Sequence, residues 1–169
     1  LNSNDNWTNP GQWELIERQE LSGSVSEVVF TNIKETEYQN HILYQENVGL
    51  SANGYLYFSS NGGSSYTSGY RYANTYVIFN TGPGDEQSNG TTQIYFGGVG
   101  SPANGIIYMS NLGDPGKIAS VNYQHVGPTV HKLGHGVTQG AAAYNAFKIT
   151  GGASITTGTF VLYGIKGNL

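Results

Sequence analysis

Three of the four histidines lie close together in the chain, and their spacing is the first pattern that could do chemistry. His131 and His135 are separated by three residues, and His125 precedes them. Two imidazoles at this spacing bind zinc when a helix carries both on one face. Gly127 and Pro128 favour a loop here, and the glutamate of a metalloprotease helix is absent. We therefore expect loop histidines and no metal site.

The carboxylates do not form an evident catalytic pair. Eight of the eleven acidic residues lie within residues 5–46, and the remaining three are Asp85, Glu86 and Asp114, in turn-like segments. A glycosidase needs two carboxyl groups about 5–10 Å apart in a cleft, and solvated surface acids explain these residues equally well. Nucleophile-elbow, phosphate-loop and calcium-loop motifs are absent. The sequence therefore predicts a non-enzymatic protein without a cofactor.

Tyrosine is the most informative residue type. Five tyrosines are interleaved with Asn, Ser and Gly in one stretch: Tyr55, Tyr57, Tyr66, Tyr70 and Tyr72. Tyrosine rings are large, stiff and able to form hydrogen bonds, so such a set could stack on sugars or form a protein interface. The same residues are also typical of a half-buried sheet, because tyrosine has a high β propensity. These five side chains are therefore candidates for glycan or interface contacts, beside the purely structural alternative.

The elements that would position these residues are short strands separated by glycine-rich breaks. Asn-Gly, which suits tight hairpin turns, occurs at 53–54, 61–62, 89–90 and 104–105. The predicted strands are Trp13–Leu21, Ser26–Ile33, Tyr38–Val48, Tyr55–Ser59, Tyr70–Phe79, Thr92–Phe96, Ile106–Ser110, Lys117–Val126, Tyr144–Thr150 and Thr159–Lys166. About ten short antiparallel strands at this spacing predict an all-β protein, a jelly-roll-like β-sandwich. We expect one domain over residues 1–169, with residues 1–12 as an extended N-terminal arm.

Three segments lack a clear strand pattern. Thr81–Gly90 and Gly127–Gly140 are predicted to be long irregular loops, which makes them candidates for partner contacts. In Ala141–Ile149 three alanines favour a helix. The Thr, Ile and Phe residues that follow favour a strand, and a strand is our prediction.

Composition and charge argue against several kinds of partner. Only 11% of the residues are charged, the net charge is −4 and cysteine is absent, whereas charged residues usually make up about 25%. None of the seven Lys and Arg residues are adjacent, so no cationic track for nucleic acid exists. No apolar run approaches the roughly 20 residues of a spanning helix. We predict no nucleic-acid binding and no membrane insertion.

Several strand and turn strings are similar to those of a β domain found in tailed-bacteriophage virion proteins. They are Trp13-Glu-Leu-Ile-Glu17, Leu21-Ser-Gly-Ser-Val25, Val28-Val-Phe-Thr-Asn-Ile33, Tyr38–Tyr44, Leu56–Tyr66, Ser68-Gly-Tyr-Arg-Tyr72 and Thr157–Lys166. The resemblance covers residues 13–76 and 144–166. It implies a structural protein at the virion surface, of the head-decoration, head-fibre or tail-fibre type. It implies contacts with the major capsid protein or with copies of the same chain, and it carries no catalytic residues.

The alternative function is a carbohydrate-binding module on a tail fibre or a secreted protein. Such a module would bind a host-surface glycan through two or three exposed, coplanar rings with Asn or Gln beside them. The candidates for these exposed rings are Tyr55, Tyr57, Tyr70 and Tyr72.

Overall fold

Eleven antiparallel β-strands make up the computed structural model, which describes residues 13–98 and 100–166. They are β1 (Trp13–Leu21), β2 (Val25–Phe30), β3 (Asn40–Leu50), β4 (Gly54–Ser59), β5 (Tyr70–Ile78), β6 (Gly82–Thr91), β7 (Ile94–Gly97), β8 (Gly100–Ser110), β9 (Ile118–Val126), β10 (Val130–Ala141) and β11 (Ala146–Ile165). None of the described residues forms a helix of the length and hydropathy needed to cross a bilayer. The predicted N-terminal arm, residues 1–12, lies outside the described residues.

The last strand, β11, pairs with four other strands because its two halves lie in different parts of the sheet. Residues 146–150 pair with β2 and β4, whereas residues 158–165 pair with β1 and β3. Between the halves, Gly152 and Gly158 have φ angles of 74° and 124°. Glycine adopts such angles without the steric cost of a Cβ atom. The bend between the halves therefore lets one strand serve both layers of the fold.

The sheet curls on itself into a sandwich-like all-β fold that is nearly closed into a barrel. Its strand order is β6-β5-β10-β9-β8-β3-β11-β4-β7, with β1 and β2 also paired to β11. The strand β7 packs across the interior against β5, β9 and β10. Buried rings and aliphatic side chains fill the space between the layers, and Phe30 and Phe147 stack there with centroids 4.7 Å apart. The predicted all-β fold is confirmed.

Most predicted strands are present, with altered ends. The predicted Trp13–Leu21 has the bounds of β1, and the predicted Tyr144–Thr150 and Thr159–Lys166 are two parts of the single strand β11. The segment Ala141–Ile149 contains no helix, and its second half belongs to β11. The alanines at its start lie at the end of β10 and in the connection to β11.

The prediction of a loop at Thr81–Gly90 is wrong, because these residues form β6. This strand pairs along its length with β5 at the edge of the sheet. Its Gly, Pro, Asp and Asn residues resemble a loop in sequence, and an edge strand tolerates them because one of its sides needs no ladder hydrogen bonds.

The prediction of a loop at Gly127–Gly140 is also wrong, because residues 130–141 form β10, between β5 and β9. The glycines that suggested a loop make room for neighbouring side chains. A Cβ atom on Gly134 would lie 2.5 Å from the Tyr123 hydroxyl, and one on Gly136 would lie 2.9 Å from Ile94. Glycine within a strand often marks such a close approach.

Candidate functional site

A row of polar side chains lies inside the fold, where an apolar core would be expected. The strand register places Lys132 of β10 opposite Tyr76 of β5 and His125 of β9. The row continues through Gly105 of β8 to Gln45 of β3. We call the inward-facing polar side chains of this region the polar layer: Gln45, Asn74, Glu86, His125 and Lys132.

Lys132 is the most unusual member, because its cationic side chain is only 2% exposed. Its Nζ lies 3.1 Å from the centroid of the Tyr95 ring and 3.5 Å from Oε2 of Glu86. A buried ammonium needs such pairing, since removing it from water is costly. Burial lowers the pKa of Lys132 to about 8, and the charge and hydrogen bond of Glu86 act in the opposite direction. The Lys132 amine therefore loses its proton more readily than an exposed lysine does.

Glu86 uses both carboxylate oxygens inside the cluster. The Tyr72 hydroxyl donates a hydrogen bond of 3.0 Å to Oε1, while Oε2 faces Lys132. Burial and this hydrogen bond raise the pKa of Tyr72 to about 12. The carboxylate is therefore held in place between a phenol and an amine.

The other members of the polar layer lack the hydrogen bonds that buried polar groups usually make. Within the described residues, both ring nitrogens of His125, both amide atoms of Asn74 and Nε2 of Gln45 have no partner. Burial lowers the pKa of His125 to about 4, with a further contribution from the charge of Lys132. His125 is consequently a neutral imidazole at neutral pH.

A cavity of about 290 Å³ opens beside this cluster. Its walls include Tyr76, Tyr95, Glu86 and Lys132. The cavity is small for an organic ligand, since ligand pockets usually span about 300–1,000 Å³. Its chemistry is that of an amine, a carboxylate and aromatic rings.

The opposite surface of the same strands is uncharged. We call the outward-facing side chains of β8, β9 and β10 the outer face: Asn104, Ile106, Tyr108, Ser110, Ile118, Ser120, Asn122, Gln124, Val126, His131, Leu133, His135 and Val137. These three strands contain one Asp, Glu, Lys or Arg between them, Lys132, and it faces inward. Leu133 and Tyr108 are 47% and 44% exposed, and Ile118 and Val126 are exposed as well. Large apolar side chains therefore meet solvent in an uncharged setting.

Aromatic side chains extend this surface onto β3, β11 and β1. The rings of Trp13, Tyr44 and Tyr163 form a cluster with centroids 5.9–6.1 Å apart. Tyr163 is paired with Ile42, which is paired with Tyr108 of the outer face. The cluster is therefore continuous with the outer face across neighbouring strands.

The outer face also contains an open groove of about 600 Å³. Tyr108, Leu133, Asn122 and Gln124 line it on the outer face, and the acidic residues Asp85 and Glu86 of β6 line it as well. An aromatic ring beside two amides suits either a protein contact or a sugar.

The five tyrosines singled out in the sequence do not form one exposed platform. Tyr70 is buried, and its hydroxyl accepts a hydrogen bond of 2.8 Å from the Phe58 N–H. The expectation of an exposed Tyr70 is therefore wrong, because this ring completes the core. Tyr55 and Tyr72 both pack on Tyr95, with ring centroids 5.7 and 6.4 Å apart.

Tyr57 and Tyr66 lie together on a different part of the surface, where both rings flank Lys148. Its Nζ is 5.3 Å from the Tyr57 centroid and 4.2 Å from the Tyr66 centroid. The interplanar angle of the two rings is 71°. Flat stacking of a sugar across both rings is incompatible with that angle.

The histidines and the neighbouring acids do not converge on one site. His131 and His135 belong to the outer face and His125 to the polar layer, so they lie on opposite sides of the sheet. All three are on strands, so the predicted loop position of His131 and His135 is wrong, whereas His125 lies within the predicted strand Lys117–Val126. Asp85 and Glu86 are adjacent on β6 and face opposite ways. Among the described residues, no three His, Asp or Glu side chains are grouped to hold a metal ion.

Sequence reasoning missed Lys132, which appeared as one of seven scattered cations. Its signal is the alternation Val130, Lys132, Gly134, Gly136, in which every second residue faces inward. That alternation is informative only when residues 130–141 are recognised as a strand.

No protein-family model matches the chain, and no curated protein matches it. Function is therefore inferred from the polar layer and the outer face themselves.

Proposed function

We propose that this protein is a non-enzymatic assembly protein that associates with copies of itself through the outer face. The observation that carries this proposal is the absence of formal charge from a three-strand surface with four large exposed apolar side chains. Large exposed apolar patches mark interaction sites. Charged residues are depleted at the centre of protein interfaces, where aromatic residues are enriched.

A second copy is the partner that the charge distribution favours. In a two-fold contact each patch meets its own copy, so a charged patch would repel itself. The outer face has no formal charge to cause such repulsion. With the adjoining β3, β11 and β1, six strands about 4.8 Å apart and about nine residues long cover roughly 900 Å². This wider surface includes a carboxylate outside the outer face, that of Glu46 beside Trp13 and Tyr44. A standard interface buries roughly 800 Å² on each partner.

The setting we propose is the surface of a tailed-bacteriophage particle, as the sequence resemblance implies. A particle presents many copies of a decoration or fibre protein side by side, which suits repeated contacts between identical neutral faces. Such contacts depend little on ionic strength, because salt screens only charges. In this setting the outer face contacts a neighbouring copy, and contact with the major capsid protein is the other outcome to test.

Light scattering of the purified chain tests the proposal. We expect the native chain to be a multimer in both dilute and about 1 M salt, and Leu133→Lys to be a monomer. Ser60→Lys adds the same charge at an exposed turn outside the outer face and should remain a multimer. A native chain that stays monomeric at all concentrations, or a Leu133→Lys variant that still associates, would contradict self-association through this face.

Empty phage capsids provide the second arm of the experiment. Stoichiometric binding of capsids by the native chain and by Ser60→Lys, but not by Leu133→Lys, would mean that the outer face contacts the capsid. A monomer that ignores capsids would contradict the virion role.

Carbohydrate binding is a second candidate, favoured by the groove in which Tyr108 lies beside Asn122 and Gln124. The ring could stack on a sugar while the amides bind its hydroxyls. A glycan array tests this function, with Tyr108→Ala as the variant that should lose any binding. Binding that survives Tyr108→Ala would place the glycan elsewhere, and a silent array would exclude this candidate for the glycans tested.

A further inference from the structure

An amine, an amide and a carboxylate meet in the polar layer. Asn74 lies directly opposite Glu86 in the β5–β6 pairing. Lys132 lies opposite Tyr76, which is two residues from Asn74 on the same side of β5. Lys132 and Asn74 are therefore diagonal neighbours on adjacent strands.

The carboxylate of Glu86 connects the other two groups. Its Oε2 is 3.5 Å from Nζ of Lys132. Residues directly opposite on paired strands have Cβ atoms about 5 Å apart, and diagonal neighbours are about 7–8 Å apart. The flexible four-carbon stem of a lysine can span such a diagonal. The Lys132 side chain is therefore long enough to reach the Asn74 amide from its neighbouring strand.

The buried amide of Asn74 faces the Tyr123 hydroxyl but makes no well-formed hydrogen bond. Asn74 is only 4% exposed, yet neither Oδ1 nor Nδ2 has a partner within hydrogen-bond limits among the described residues. Buried polar groups are nearly always hydrogen-bonded, and an exception calls for a reason. Conversion of this amide by a neighbouring group would supply that reason.

We propose that Lys132 and Asn74 form an intramolecular amide bond that joins β10 to β5, with Glu86 as the group that transfers the proton. The cross-link would tie the edge hairpin of β5 and β6 to the body of the sheet. This function is independent of the outer face, because it concerns the inward-facing side of the strands.

The reaction balances without an added reagent. The neutral amine of Lys132 attacks Cγ of Asn74, and a C–N bond forms as the carbonyl double bond opens. Glu86 accepts a proton from the attacking nitrogen and delivers it to the amide nitrogen of Asn74. That nitrogen leaves as ammonia, the carbonyl reforms, and Glu86 is regenerated. The products are one secondary amide and one ammonia molecule, with no change in oxidation state.

The surroundings favour each step. Burial lowers the pKa of Lys132 to about 8, which provides the unprotonated nucleophile that such a reaction requires. The Tyr72 hydroxyl holds the Glu86 carboxylate at 3.0 Å. Tyr95 and Tyr76 lie over the amine.

Mass spectrometry of the intact native chain is the test. We expect a mass lower than that of the sequence by one ammonia molecule. Trypsin cleaves after Lys and Arg, and the relevant sites are Arg71, Lys117, Lys132 and Lys148. A cross-linked chain should resist cleavage at Lys132 after denaturation and should release peptide 72–117 joined to peptide 118–148.

Peptide mapping is essential because the four Asn-Gly pairs can also lose ammonia by forming a succinimide. Ammonia loss with normal cleavage at Lys132 would overturn the proposal, and so would a full mass. Glu86→Gln should lose the joined peptide, while Asp85→Asn, one residue away and facing outward, should keep it. A joined peptide at native yield in Glu86→Gln would overturn the role of the carboxylate.

Discussion

The interior of this fold has two regions with opposite chemistry, one built from stacked rings and one from unpaired polar groups. Around Phe30 and Phe147 the side chains are fully buried and apolar. Around Lys132 and His125 the same sheet buries an ammonium and an imidazole. Apolar burial stabilises a fold directly, whereas buried polar groups cost free energy unless they are paired. The apolar region therefore supplies stability that the polar layer costs.

The largest expected effect comes from the apolar region. Phe147→Ala should reduce the free energy of unfolding by about 3–5 kcal/mol, because it removes a ring and leaves a cavity. Urea denaturation would measure the change. Phe79→Ala is the matched control, since Phe79 is 60% exposed and its loss should cost about 0.5 kcal/mol or less. Equal losses in the two variants would contradict the assignment of Phe147 to the core.

The polar layer should make stability depend on pH. The pKa of His125 is lowered to about 4 in the folded chain, so between about pH 6.5 and pH 4 the unfolded chain takes up a proton that the folded chain does not. Stability should fall as the pH falls through this window, by roughly 3 kcal/mol for this group.

The variant His125→Gln isolates that dependence from the rest of the chain. Burial also lowers the pKa of His41, but His41 is present in both proteins and cancels in the comparison. The difference in unfolding free energy between native and variant chains should shrink steadily from pH 7 to pH 4. A difference that is constant over this range would show that His125 is protonated in the folded chain.

The close packing of neighbouring side chains against the glycines of β10 can be tested by substitution. Gly134→Ala should destabilise the fold by about 1–3 kcal/mol, since a methyl group would overlap the Tyr123 hydroxyl and Cβ of Asn74. Gly140→Ala on the same strand is the control, because nothing lies within 4 Å of its added Cβ. Thermal unfolding of the two variants would measure the contrast, and similar midpoints would contradict the packing described here.

The smallest expected change in stability is that of Leu133→Lys, one residue from Lys132 but on the outer face. It should alter the free energy of unfolding of the monomer by no more than about 0.5 kcal/mol, as is usual for surface substitutions. Denaturation at low protein concentration would measure it. A loss of several kcal/mol would mean that Leu133 packs within the monomer.

Local sequence patterns predicted the strands that are rich in β-branched and aromatic residues and are bounded by turn residues. In β1 the sequence indicated the end at Leu21, because the turn-forming residues Ser22 and Gly23 follow it. The sequence failed for β6 and β10, where glycines, acids and amides suggested loops. These segments are strands because long-range pairing and the space needed by Tyr123 and Ile94 override local propensity.

The candidate site was less predictable than the fold. Lys132, His125 and Asn74 come together only through the register of β5, β9 and β10, and no local spacing reports that register. Tyr70 illustrates the same limit, because a tyrosine in an alternating run has the same appearance whether it faces core or solvent. The lack of charge on the outer face is partly evident from the sequence, since few of residues 100–131 are charged.

Hydroxyl-radical footprinting shows whether a second copy of the chain covers the outer face. The native chain would be labelled at low and high protein concentration, and oxidation of individual side chains would be measured by mass spectrometry. We expect Tyr108 and Leu133 to become protected as concentration rises, while Phe79 stays equally reactive. Unchanged labelling of Tyr108 and Leu133, or protection confined to Phe79, would contradict assembly through the outer face.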